Sequence, residues 1–140
     1  MEGKSQGVKE LRSQGERQPI KDFRDLLTWK KAHVYTVEIY RATRQFPSAE
    51  QFGLTNQLRR AAVSIVSNIA EGFGRRTPSD RLHFYDMARG SLHETQAQLL
   101  VALDVQYLNQ KELDDLYGAS IECHKILTGL INKTKEFAQS

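Results

Sequence analysis

The 140-residue chain holds one cysteine, three prolines and one tryptophan. Cys123 cannot close an intrachain disulfide, and no Cys/His cluster has the spacing of a structural zinc site. Stability is therefore expected to come from packing, in a reducing compartment, with the cytoplasm as the expected location. No apolar run approaches the ~20 residues that span a bilayer, and the first residues lack the apolar core of a signal peptide. No membrane role is expected. Sustained alternation of apolar and polar residues is missing too: the β-branched residues fall mostly on helical stripes, which leaves no strand pattern. At 16.0 kDa the chain is one domain by length, large enough to bury a core.

Catalytic constellations are also lacking. Asp80 and His83 stand three apart and could supply half of a metal site, but the paired Glu-x-x-His motifs of a di-iron bundle are absent. His33, His93 and His124 fall on different expected helices, and neither a Gly-rich phosphate loop nor a Ser/His/Asp order is present. The expectation is a protein that is not an enzyme and takes no cofactor and no metal.

What is present is helical periodicity. Residues 1–21 are polar, with Val8, Leu11 and Ile20 as their sizeable apolar groups, and are expected to form a mobile arm ahead of a domain over 22–140. A first helix is expected from Phe23 to Phe46, before Pro47, with one stripe at Thr28, Ala32, Tyr35, Ile39, Ala42 and Phe46 and a second at Leu26, Trp29, Val37 and Tyr40. A second, capped by Thr55, should run to Phe73 and close on a left-handed Gly74. Thr77 followed by Pro78 and Asp80 opens a third, which carries Tyr85, Ala88, Leu92, Thr95, Leu99 and Ala102 on one face to about Gln106. Gly90 within it suggests the close approach of another backbone. Asn109 and Glu112 form a capping pair for a fourth, with a seam from Leu113 to Phe137 that includes Cys123. Four helices with short connections predict an all-α, antiparallel up-down-up-down four-helix bundle. The second stripe of the first helix needs its own burial partner, in this chain or in a neighbouring subunit.

Charge is unevenly spread over the net +3: residues 55–90 hold six arginines against three acids, whereas 91–140 hold four lysines against seven acids. All eight Lys/Arg positions between Ala32 and Gln110 are arginine, the planar donor suited to carboxylate or phosphate. Folding the second helix onto the third predicts an inward Arg60 paired with Glu94. Asn68 and Glu71 are expected to hold the turn, with Arg75, Arg76 or Arg81 compensating the Glu71 carboxylate at the helix end.

The segments Gly53-Leu54-Thr55, Gln57-Leu58-Arg59-Arg60-Ala61, Asn68-Ile69-Ala70-Glu71-Gly72 and Ala88-Arg89-Gly90-Ser91-Leu92-His93-Glu94 resemble the motif set of proteins related to those encoded in intervening sequences of bacterial large-subunit ribosomal RNA genes. The resemblance runs from about Phe23 to Phe137. It implies a four-helix protomer assembled as a cyclic homo-oligomer, a homopentamer, with a role linked to RNA or other nucleic acid. On that reading Arg59, Arg75, Arg76 and Arg81 are the expected nucleic-acid contacts. The alternative is a protein-interaction scaffold whose arginines serve subunit or partner contacts.

Overall fold

A computed structural model describes residues 19–139 of the chain. The arm expected over residues 1–21 lies outside them except for its last three positions. Among the described residues there are four α-helices and no strand: α1 (Leu27–Thr43), α2 (Leu54–Phe73), α3 (Pro78–Asp104) and α4 (Gln110–Gln139), with 3-10 turns at Phe23–Asp25 and Ser48–Glu50.

Side-chain pairs fix the topology. Thr36 Oγ1 donates to Ala62 O at 3.1 Å, and Arg59 Nε donates to Thr43 Oγ1 at 2.8 Å, so α1 and α2 run in opposite directions. Ser91 and Ser64 hydroxyls meet at 2.9 Å between α2 and α3, and Gln96 Nε2 donates to Ser120 Oγ at 2.9 Å between α3 and α4. Lys31 Nζ lies 3.5 Å from Glu122 Oε2, and Gln45 Nε2 donates to Glu112 Oε2 at 3.1 Å, which close α4 back on α1. The expected up-down-up-down bundle is the observed one.

Its interior is built from the expected stripes. All six residues of the α3 face, Tyr85 to Ala102, are buried, as are Leu58, Ile65 and Ile69 of α2 and Tyr35 and Ile39 of α1. On α4 the seam holds from Leu113 through Cys123 and Leu127 to Thr134, while Phe137 beyond it is 62% exposed. Burial of each large aliphatic side chain contributes roughly 1.5–3 kcal/mol.

Several boundaries differ from expectation, each for a local reason. The first helix does not begin at Phe23. Asp22 accepts from Arg24 N (2.7 Å) and Asp25 accepts from Lys21 N (2.8 Å), so these short carboxylates divert backbone donors into a 3-10 turn. Leu26 is then extended (φ −74°, ψ 129°) before α1 starts. Thr55 does not cap α2. It is buried within the first turn, and the free donor of Leu54 is taken by Glu50 Oε1 at 2.9 Å. The other oxygen of Glu50 accepts the Tyr107 hydroxyl at 2.8 Å, and these two bonds hold the carboxyl below its ordinary value.

Gly74 is right-handed (φ −79°), and α2 ends through bonds from Gly74 N to Ala70 O and Glu71 O. The left-handed residue is instead Gln106 (φ 68°), which ends α3 two residues short of the expected limit. Two capping expectations are met. Thr77 accepts from Asp80 N at 3.1 Å, and Asn109 and Glu112 each accept the other's backbone N–H at 2.8 Å.

Candidate functional site

The arginines divide into two groups at opposite ends of α2. Arg59 is half-buried: its Nε donates to Thr43 Oγ1 (2.8 Å), its Nη2 to Tyr40 O (3.2 Å), and its guanidinium lies 4.6 Å from the Tyr40 ring centroid. It therefore clamps the last turn of α1, where a cation also suits the helix dipole. Arg75, Arg76 and Arg81 gather at the α2–α3 turn, roughly 24 Å further along at ~1.5 Å per residue. The structure does not bring the four expected contacts together.

At the turn, Arg75 pairs with Glu71 one helical turn back and stacks over Phe84, 4.5 Å from the ring centroid. Arg81 Nε donates to Arg75 O at 2.8 Å, which closes the turn from the α3 side. Glu71 is thus compensated as expected, by Arg75. Arg76 is exposed, with no hydrogen bond or ion pair to the described residues. One engaged guanidinium stacked on an aromatic ring, one braced and one unengaged present a cationic knob to solvent.

Arg60 and Glu94 correct the expectation. Both are exposed, and no ion pair joins them among the described residues; Glu94 instead accepts from Gln98 Nε2 at 3.4 Å. The α2–α3 register sits about one turn from the one assumed, since Ser64 faces Ser91 and Gly72 faces Tyr85. Arg60 also follows the inward Arg59 by one residue, a rotation of ~100° away from the neighbouring helix. A β-carbon added to Gly90 would meet nothing within 4 Å, so no other helix among the described residues approaches it. The glycine that packing requires is Gly72, whose β-carbon would fall 2.6 Å from Tyr85 Cε1.

Asn68 lies half-buried inside α2 and does not hold the exit turn. Its Nδ2 donates to Ser64 O (2.9 Å) and Ser64 Oγ (3.0 Å), and Ser64 Oγ meets Ser91 Oγ. Asn68, Ser64 and Ser91 thus form a polar stitch between α2 and α3. Two of the histidines placed on separate helices do meet: His93 of α3 and His124 of α4 stack with ring centroids 5.1 Å apart and planes 25° from parallel. No sequence spacing signals this pair, because it depends on the α3–α4 register. No group of three or more metal-capable side chains occurs among the described residues, so Asp80 and His83 gather no partners there. Cys123 is buried, and burial followed by the Glu122 charge pushes its thiol up to about 12.

The family model described as the 23S rRNA-intervening sequence protein matches residues 24–129. The chain belongs to that family. The motifs that pointed to it, Asn68 to Gly72 and Ala88 to Glu94, are the α2–α3 seam: Gly72 admits Tyr85, and Asn68 and Ser91 converge on Ser64. The span shared with the family includes the arginine turn and the histidine pair. A crystal structure from Bacteroides thetaiotaomicron VPI-5482, described as a protein with unknown function from the S23 ribosomal protein family, is similar with a TM-score of 0.68 at 21% identity. The match covers 75% of this chain and 98% of that one, and speaks for the fold. No curated protein matches the chain. No helix among the described residues is long and apolar enough to cross a membrane.

Proposed function

We propose that this chain is a non-catalytic, RNA-associated accessory module that works as a homo-oligomer, a pentameric ring, in the cytoplasm. The observation that carries the RNA reading is the α2–α3 turn, where Arg75, Arg76 and Arg81 occupy one corner and Arg76 has no acidic partner among the described residues. Membership of a family named for an intervening sequence of 23S rRNA supports the choice of RNA as polyanion. Assembly is supported by apolar side chains the protomer leaves open: Val34 at 55%, Tyr40 at 38%, Val63 at 39% and Phe52 at 88% exposure. Arg59 stands apart from this corner, with its Nε and Nη2 donors serving α1.

The test is binding of a structured RNA at several salt concentrations, with Arg75→Ala/Arg76→Ala/Arg81→Ala compared against the unaltered chain. Each phosphate contact adds about 0.9 to the slope of log affinity against log salt, so the triple variant should lose at least tenfold in affinity and about 2.7 in slope. Affinity unchanged by the triple variant would refute the phosphate role. A split oligomer with no change in RNA binding would assign the arginines to subunit contacts, the scaffold alternative.

A further inference from the structure

The stacked histidines lie on the open seam between α3 and α4, and their neighbours follow from the same antiparallel register. Gln96 faces Ser120 and His93 faces His124, so the next rung sets Arg89, one turn before His93, level with Thr128, one turn after His124. Arg89 is half-buried and holds Asp86 through Nη2 at 3.0 Å, which leaves the rest of its fork unassigned. Three donor-bearing side chains, Arg89, His93 and His124, thus occupy two adjacent rungs. The charged groups around the pair are Arg89 and Asp86 from α3, with Glu94 beside His93, and Lys125 beside His124 on α4; Glu122 pairs with Lys31 of α1.

The chemistry of this set is that of an anion receptor. A guanidinium beside the two stacked rings opposes a cation and favours an anion. An oxyanion would accept from the Arg89 fork and the imidazole N–H groups. We infer that Arg89 and His93 of α3 and His124 of α4 form a site for a phosphate group, one that binds more tightly as His124 gains a proton. Burial, His93 and Arg89, in that order, hold His124 below its ordinary value, so His124 is neutral at pH 7 and the site gains charge on mild acidification. The phosphate can be free or belong to RNA. Only the second source rests on the proposed function.

The experiment is a titration of the full chain with inorganic phosphate, following the histidine Cε1–H signals by NMR between about pH 7.5 and 5.5 at constant ionic strength set with chloride. The expected result is that the His93 and His124 signals move together and saturate, with the His124 midpoint rising by about one pH unit. Arg89→Gln and His124→Gln should each weaken phosphate about tenfold, the loss of one hydrogen bond to a charged group. Phosphate that moves these signals no more than chloride does, or that binds both variants as tightly as the unaltered chain, overturns the site. RNA that displaces phosphate from the two signals identifies the phosphate as that of nucleic acid. RNA that binds through the arginine turn and leaves them unmoved, while phosphate still saturates them, assigns a free-phosphate site. If no RNA binds, the proposed function fails while the phosphate titration still decides this inference.

Discussion

Tyr35 donates its hydroxyl proton to Thr95 Oγ1 across the core, from α1 to α3, at 2.9 Å. The direction follows from Thr95, whose own proton is given to Leu92 O at 2.6 Å, so its oxygen is left as the acceptor. Both side chains are almost fully buried, and burial pushes the Tyr35 phenol well above its ordinary value. The bond joins helices that are diagonal in the bundle and so contributes to fixing their register.

Tyr35→Phe is therefore expected to cost about 1 kcal/mol in urea unfolding, and Thr95→Val about 1–3 kcal/mol because it leaves the phenol without its acceptor. The two should be coupled by about 1 kcal/mol, the double variant losing less than the summed singles. Strict additivity would show that the contact does not stabilise the fold.

The glycines separate by packing rather than by turn conformation. A β-carbon on Gly72 would lie 2.6 Å and 2.9 Å from Tyr85 ring carbons, whereas one on Gly90 meets nothing within 4 Å. Gly72→Ala should destabilise the protein by about 1–3 kcal/mol through overpacking, and Gly90→Ala should stabilise it by about 0.5–1 kcal/mol through helix propensity. Thermal or urea unfolding of both variants checks the pair of signs. A destabilising Gly90→Ala that also dissociates the oligomer would place a subunit contact at that position.

His124 gives a pH dependence of known sign. Its folded-state value lies below the ordinary 6.5, so on acidification the unfolded chain takes up this proton before the folded one does. The stability it contributes is complete above about 6.5, declines as pH falls through that value, and levels off below the lowered folded value. Unfolding measured in phosphate-free buffer across this window should show the decline, and His124→Gln should flatten it.

Cys123 should be inert in the folded protein, since burial pushes its thiol up to about 12 and leaves little thiolate at neutral pH. A thiol reagent should label it at least a hundredfold more slowly in native buffer than in denaturant. Equal rates would mean that the lower half of α4 opens readily.

The sequence by itself determined the class of fold, most of the helices and the family. Those features are local: the heptad stripe from Tyr85 to Ala102, the Thr77 cap with Pro78 and the Asn109–Glu112 box need only neighbours within one or two turns. The polar residues around Leu58 to Arg76 were a different matter. One residue along a helix is a turn of ~100°, so a modest error in facing or register exchanges inside for outside. That is why Arg59, expected outward, grips α1, and Arg60, expected inward, faces solvent. Tertiary structure alone decided that Gly72 and not Gly90 marks a close approach, because the large Tyr85 ring sets how α3 seats on α2. The same holds for His93 and His124, which stand 31 positions apart and meet only once α3 and α4 are in register.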